Sequence, residues 1–143
     1  MTVPRIAVVG STMIDLIAYA NRVPAAGETI QGDDFRLGFG GKGANQAVMA
    51  RLLGAEVAMV NALGDDVFGD MTMRNFADLG IDARFVTRVP GSSGVAPIWV
   101  EPDGTNRIIC VAGANEAMIP DEAAAAVTAL SPLDVVIGEF EIP

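Results

Sequence analysis

The stretch Gly38-Phe39-Gly40-Gly41-Lys42-Gly43-Ala44-Asn45-Gln46 is the most informative part of this 143-residue chain. Four glycines occur within six positions, and glycine at this density lets a backbone adopt left-handed angles and approach a ligand closely. The helical pattern behind it would present free N–H groups, which favour anionic or hydroxyl-rich ligands. Lys42 can donate three hydrogen bonds, and Asn45 can donate and accept. The segment therefore predicts a cradle for a polar small molecule.

Two nucleotide-binding motifs resemble this stretch without explaining it. Gly38-x-Gly40-x-x-Gly43 has the spacing of the dinucleotide fingerprint, but that fingerprint follows the first strand of a βαβ unit. Here the first predicted strand, residues 5–9, runs into Gly10-Ser11-Thr12-Met13 instead. A P-loop requires Ser or Thr after Gly-Lys, where this chain has Gly43. A plain glycine-rich turn would explain the glycines but not Lys42 and Asn45.

Composition narrows the classes of function. A formal net charge of −9 disfavours nucleic-acid and anionic-membrane partners, which require basic patches. The absence of histidine rules out histidine bases and imidazole metal sites. Cys110, the single cysteine, lies in an apolar run and is predicted to be buried; a lone cysteine fits a reducing compartment. Without a visible signal peptide or an apolar run that could span a bilayer, we expect a soluble, cytoplasmic protein.

Alternating strand and helix patterns predict an α/β fold with helices on both faces of a mostly parallel sheet. The predicted elements are strands at 6–9, 56–63 and 134–138, a helix at 44–53 buried on several sides, an amphipathic helix at 66–79, and an alanine-rich helix within 114–130. Two hairpin-like pairs, near residues 14–37 and 94–112, break the alternation and predict a separate small sheet. The chain reaches Pro143 just after a strand, so we interpret residues 1–143 as part of one α/β domain.

At these residues the sequence resembles the ribokinase family of carbohydrate kinases, and in particular the N-terminal half of such a protein. The family's first signature combines the glycine cradle with two later glycines, and here the cradle is followed by Gly54 and Gly64 at the required spacing. Further landmarks are Gly10-Ser11 with Asp15, Pro24 with Gly27-Glu28-Thr29, Gly64-Asp65-Asp66 with Gly69, and Ala112-Gly113-Ala114-Asn115. The resemblance covers essentially the whole chain.

The resemblance implies a three-layer, Rossmann-like sheet with a small β lid over a sugar. It implies transfer of the γ-phosphoryl group of ATP to the primary hydroxyl of a sugar, D-ribose first, with Mg²⁺ and in many members a monovalent cation such as K⁺. Family members often form homodimers through the lid. A fructokinase or nucleoside kinase is the near alternative. The alternatives from other classes are a non-catalytic sugar-binding or dimerisation fragment and a structural fragment without ligand affinity.

The resemblance also assigns sugar-binding residues, which are Met13, Asp15, Gly41, Lys42, Asn45, Ala96, Ile108 and Glu141. Asp15 would accept hydrogen bonds from two sugar hydroxyls, and a buried aspartate among apolar neighbours would be costly without such a partner. Gly41 would allow close approach, while Lys42 and Asn45 would donate hydrogen bonds.

The remaining assignments compete with simpler interpretations. Ala96 and Ile108 would cover the apolar sugar face, although strand packing explains them nearly as well. Glu141 is preferred to the nearby Glu139 because Phe140-Glu141-x-Pro143 fits the family's local pattern better. Met13 replaces the asparagine of many members, which weakens the choice of ribose; it could also be a core methionine.

The family's second signature, Asp-Thr-x-Gly-Ala-Gly-Asp, does not occur in residues 1–143. In the family it supplies the anion hole and the catalytic base, and most of the ATP site lies in the same half. We therefore expect neither a catalytic residue nor a metal site in this chain, and a protein roughly twice as long.

Overall fold

The chain contains eight strands, three α-helices and a short 3-10 helix within residues 2–143, the part that the computed structural model describes. In order they are β1 (Arg5–Val9), β2 (Met13–Tyr19), β3 (Asp34–Gly40), α1 (Lys42–Leu52), β4 (Glu56–Gly64), α2 (Val67–Leu79), β5 (Asp82–Val89), β6 (Val95–Val100), β7 (Asn106–Ile108), the 3-10 helix (Gly113–Ala117), α3 (Pro120–Leu130) and β8 (Val135–Gly138).

The large sheet has the strand order β5-β4-β1-β8, and all three pairings are parallel. Its inner strands β1 and β4 are apolar because both of their faces are covered. On one face Met59 packs in a cluster with Ala47 of α1 and Phe76 of α2. On the other face Val60 packs in a cluster with α3 residues. The predicted three-layer α/β fold is confirmed.

The small sheet has the strand order β3-β2-β6-β7. Strand β2 pairs antiparallel with β3 and parallel with β6, and β7 pairs antiparallel with β6. The separate sheet expected from the hairpin-like patterns is therefore present. The chain passes between the two sheets four times, after β1, before α1, after β5 and before α3.

The glycine-rich stretch forms a corner between strand and helix. Gly38 and Gly40 belong to β3, Gly41 is the N-cap residue of α1 with φ 93°, and the helix begins at Lys42. A Cβ on Gly41 would lie 2.6 Å from the Thr12 Cα, and one on Gly43 would lie 2.6 Å from the Gly10 carbonyl carbon. These two glycines therefore let the start of α1 approach the β1–β2 connection closely. The sequence had suggested that they allow the close approach of a ligand.

Helix α2 ends at Leu79, as its sequence predicts, and begins at Val67, one residue after the predicted start, because Asp66 is its N-cap residue. The Asp66 carboxylate accepts a hydrogen bond from the Gly69 N–H at 2.8 Å, and Gly80 takes the left-handed conformation past the C-terminus. Asp66 also accepts from the Ser93 N–H at 2.8 Å, which joins the helix to the β5–β6 connection. Burial would raise the pKa of Asp66, but the bonds from Ser93 and Gly69 outweigh it and lower that pKa.

The expected burial of α1 on several sides is wrong. Gly43, Ala44 and Ala47 are its buried residues, whereas Met49 and Leu52 are 56% and 67% exposed. The helix lies in an outer layer, so one side of it has neighbours and the others face solvent. None of the helices in the described part of the chain has the length and apolarity needed to cross a membrane.

Three elements differ from the sequence prediction. Residues 28–33 were predicted as the first part of the strand that ends at Leu37, but they form a loop. The reason is that their partner β2 ends at Tyr19, which pairs with Asp34. Strand β5 was not predicted, since at the edge of the sheet its charged residues obscure the apolar pattern. The alanine-rich helix starts at Pro120, whose ring suits the first helical position, and a 3-10 turn precedes it.

Two glycine substitutions should separate backbone strain from steric exclusion. Gly41 and Gly54 have φ angles of 93° and 97°, so alanine is strained at either position. A Cβ on Gly54 meets nothing within 4 Å, unlike one on Gly41. We expect Gly54→Ala to lower the free energy of unfolding by about 1 kcal/mol and Gly41→Ala by roughly 2 kcal/mol more. Chemical denaturation measures both, and equal losses would contradict the steric argument.

Candidate functional site

A cleft of about 180 Å³ opens between the small sheet and the start of α1. It is lined by Met13, Asp15, Gly41, Lys42, Asn45, Ala96, Ile98, Ile108, Cys110 and Glu141. All eight residues that the resemblance assigned to sugar binding are in this set, and Ile98 and Cys110 are additional. The cleft lies beyond the carboxyl ends of β1 and β8, the edge at which α/β sheets bind ligands. The binding role of each residue stays a prediction.

Asp15 is a half-buried carboxylate on an inner strand of the small sheet. Within residues 2–143 no group donates a hydrogen bond to its carboxylate. Burial alone therefore acts on it, and raises its pKa. An ionised carboxylate in this position is stabilised by any ligand that brings hydroxyl or N–H donors.

The neighbours of Asp15 explain why its carboxylate is reachable. Directly opposite it on the flanking strands are Gly38 and Ala96. A Cβ on Gly40 would lie 2.6 Å from an Asp15 carboxylate oxygen. Glycine at 38 and 40 thus leaves room for the carboxylate and keeps one of its sides open. A sequence pattern of an acid opposite two small residues could have indicated this, but only with the strand register known.

Lys42 and Glu141 form an ion pair along the cleft, in which the Lys42 ammonium donates to the Glu141 carboxylate. Glu141 also accepts from the Ser11 hydroxyl at 3.0 Å. The bond from Lys42 lowers the pKa of Glu141, and the same bond raises the pKa of Lys42. Both groups therefore stay charged at neutral pH. The pair leaves part of Lys42 free, since 66% of its side chain is exposed.

The cleft is lined by both polar and apolar groups. Asp15, Lys42 and Glu141 carry charges, and the exposed Asn45 adds an amide. The apolar groups are the side chains of Met13, Ala96, Ile98 and Ile108, and the Cys110 thiol also lines the cleft. This combination suits a ligand that carries both hydroxyl and C–H groups.

The expected burial of Cys110 is wrong. Its side chain is exposed and lies on the cleft wall. The apolar run around it follows β7, the edge strand of the small sheet, so one side of the run has no neighbouring strand. Apolar sequence alone could not distinguish this edge from a core strand.

A buried amide fixes the backbone that carries Met13 and Asp15. Asn115 is 0% exposed. Its side chain accepts from the Thr12 N–H at 2.9 Å and donates to the Thr12 carbonyl at 2.8 Å. The Asn61 amide donates to the Thr12 hydroxyl at 2.8 Å. The landmark at residues 112–115 thus acts through Thr12, the residue that directly precedes β2.

Glu139 and Ser11 are two further residues of the site that the sequence prediction left out. Glu139 does not line the cleft; its carboxylate accepts from the Ser11 N–H and, at 2.7 Å, from the Glu141 N–H. Glu141, which the sequence analysis preferred to Glu139, lines the cleft.

A larger depression of about 490 Å³ lies at the opposite, amino edge of the large sheet. Its arginines are already engaged: Arg5 donates to the Pro132 carbonyl at 2.6 Å, Arg51 to the Leu79 carbonyl at 3.0 Å, and Arg84 pairs with Asp82. These contacts hold the ends of helices and strands together. The smaller cleft, with its unpartnered Asp15, is the better candidate.

The described residues do not form a metal centre by themselves. Across residues 2–143, no three acidic or cysteine side chains come together in a group that could hold a metal ion.

Comparison with known proteins places the chain among sugar kinases. The profile described as pfkB family carbohydrate kinase matches residues 3–137. A deoxyribokinase of Salmonella typhimurium is 44% identical over 138 residues, which are 96% of this chain and 45% of that protein. A ribokinase of Lactococcus lactis is 42% identical over 140 residues, 97% of this chain and 46% of that protein.

A solved structure agrees over the whole chain. The Arabidopsis thaliana ribokinase complexed with ribose and ATP superimposes with a TM-score of 0.85 at 31% identity, covering 100% of this chain and 47% of that one. The chain thus spans about half the length of the relatives it matches.

Replacing Lys42 should test the ion pair through the titration of its partner. Lys42→Met removes the bond that does most to lower the pKa of Glu141, so we expect that pKa to rise. Carbon-13 NMR of the side-chain carboxyl groups measures it. Asp82, whose pKa is lowered first by its bond from Arg84, serves as an internal control and should not change. An unchanged Glu141 titration would contradict the pairing.

Proposed function

This chain belongs to the pfkB family of carbohydrate kinases, and from that premise we propose that it is the sugar-binding part of an ATP-dependent kinase acting on the primary hydroxyl of D-ribose. Because the chain spans about half the length of its relatives, the activity is proposed for the protein that contains it. Ribokinases among the relatives support the choice of sugar.

The observation that carries the proposal is the unpartnered carboxylate of Asp15 beside the Lys42–Glu141 pair. Sugar hydroxyls can supply the donors that Asp15 lacks, and charge-assisted hydrogen bonds of this kind are about twice as strong as neutral ones. Lys42, Asn45 and Glu141 would bind further hydroxyls, while Ala96 and Ile108 would cover the C–H face. Gly41 and Met13 would complete the outline of the pocket.

The proposed cofactors are ATP and Mg²⁺, with a monovalent cation such as K⁺. ATP would supply the phosphoryl group, and the residues of this chain would bind and orient the accepting hydroxyl. The small sheet would act as a lid, because its strands β2, β6 and β7 contribute Asp15, Ala96 and Ile108 to one wall of the cleft.

The first experiment measures ribose-dependent ATP consumption by the full-length protein. We expect Asp15→Asn to raise KM for ribose at least about tenfold, the loss of roughly one charge-assisted hydrogen bond. Asp34→Asn is the matched control, because Asp34 lies on the adjacent strand and pairs with Arg36 outside the cleft.

The pH profile provides a second readout of Asp15. Since burial raises the pKa of Asp15, we expect KM to rise on acidification at a higher pH than an ordinary aspartate would require. Turnover with fructose or a nucleoside in place of ribose would favour the neighbouring kinase activities. Ribose binding without ATP consumption would support a non-catalytic sugar-binding module, and no binding at all would refute both.

A second candidate substrate is 2-deoxy-D-ribose, and Met13 is the observation that favours it. The thioether of Met13 is a weak acceptor and cannot donate a hydrogen bond to a hydroxyl. A sugar that presents a methylene to this wall leaves no hydroxyl unsatisfied. The deoxyribokinase that is 44% identical agrees with this possibility. The ratio of kcat/KM for the two sugars in the same assay decides between them.

We also propose that the protein forms a homodimer through the small sheet. Phe35, Leu37 and Phe39 alternate with Gly38 and Gly40, so they face away from Asp15. They are 61%, 38% and 43% exposed, and contiguous apolar surface of this kind marks interaction sites. Family members often form homodimers through their lids, and an interface at this face is consistent with that.

Charging that face should dissociate the dimer. We expect Leu37→Asp to shift the protein towards a monomer in sedimentation velocity, because an aspartate buried in an apolar interface lacks a partner. Met49→Asp is the control, since Met49 is also exposed but lies on α1. A monomeric wild type, or a Leu37→Asp protein that stays dimeric, would contradict the proposed interface.

A further inference from the structure

Glu139 lies just past β8, and its carboxylate accepts hydrogen bonds from two backbone N–H groups. One oxygen accepts a hydrogen bond from the Ser11 N–H, and the other accepts from the Glu141 N–H at 2.7 Å. Ser11 follows β1 by two residues, so Glu139 links the ends of two adjacent parallel strands. Its bond from Glu141 reaches only two residues along the chain, where the backbone bends at residues 140 and 141.

The two bonds require a carboxylate at this position. Both of its oxygens accept, and both partners are backbone N–H groups, which only donate. A glutamine offers one acceptor, and its amide nitrogen would face an N–H group. Bonds to a charged acceptor are also stronger than those to a neutral one.

The space for Glu139 is made by a glycine. A Cβ on Gly10 would lie 2.7 Å from a Glu139 carboxylate oxygen and 2.9 Å from the Gly43 Cα. Glu139 therefore lies against the same backbone contact that brings α1 close to the β1–β2 connection. The fold fixes the position of the Glu139 carboxylate, and the carboxylate in turn fixes the two backbone N–H groups that it binds.

Both groups that Glu139 holds act on Glu141. It fixes the backbone N–H of Glu141 directly, and it fixes the main chain of Ser11, whose hydroxyl donates to the Glu141 carboxylate at 3.0 Å. Glu139 does not itself line the cleft. On the premise of the proposed function, we propose that Glu139 is a positioning residue that aims the Glu141 carboxylate at the sugar.

A double-mutant cycle on ribose affinity tests this role in the full-length protein. We expect Glu139→Gln to raise the Kd for ribose by ~10-fold, because a small misplacement of a binding group is costly. In a Glu141→Ala background the same substitution should change the Kd less than about twofold, since coupled residues do not act additively. A merely structural defect would weaken binding equally in both backgrounds.

Asp134→Asn is the matched control. Asp134 precedes the other end of β8, where its carboxylate accepts from the Arg5 N–H at 2.8 Å, far from the cleft. It should lower thermal stability while leaving the Kd for ribose unchanged. Should Glu139→Gln fail to fold, Glu139→Asp replaces it, since its shorter side chain cannot reach both N–H groups.

Each outcome bears on one proposal or on both. If wild type binds ribose and Glu139→Gln binds it equally well, or if the two substitutions act additively, the positioning role is wrong and the sugar-binding function stands. If wild type binds no pentose, the proposed function is refuted and the positioning role with it.

Discussion

The contact on which the rest of the structure depends is that between two stretches of bare backbone, residues 10–13 and residues 41–43. A Cβ on Gly41 or Gly43 would lie 2.6 Å from main-chain atoms of the opposite stretch, closer than real side chains allow. This contact brings the start of α1 beneath the first residues of β2. Lys42 and Asn45 thereby reach the same cleft as Asp15, although the first two lie on α1 and Asp15 lies on a strand of the small sheet.

Two carboxylates line the cleft and a third lies next to it, and their surroundings give them different properties. Asp15 has no partner among residues 2–143 and a raised pKa. Glu141 is paired with Lys42 and has a lowered pKa. Both carboxylate oxygens of Glu139 accept hydrogen bonds from backbone N–H groups. The first has no donor from the protein, the second is paired with a lysine at the cleft, and the third is bound to the backbone. Amino-acid type alone does not decide the function of an acid.

Local chemistry explains which features the sequence could predict. The end of α2 at Leu79 and the apolar run of β1 depend on near neighbours, and both were anticipated. The features that were missed depend on distant partners. Three of them arise where no helix or strand among residues 2–143 packs beside the chain. They are the exposed side of α1, the open edge at Cys110 and the loop at 28–33. The position of the Glu139 carboxylate depends on a hydrogen bond from Ser11, which is 128 residues away.

The same sequence separation affects how the protein is made. Strand β1 and Ser11 leave the ribosome early, but their partners β8, Glu139 and Glu141 are synthesised about 130 residues later, on the order of ten seconds afterwards. Strand β1 lies inside the large sheet, and the edge that later pairs with β8 stays unpaired during that time. Closing so long a loop is entropically expensive until the contacts form. Among the features of residues 2–143, the cleft is therefore one of the last to be assembled, and a nascent chain interrupted before residue 139 carries the glycine corner without a complete site.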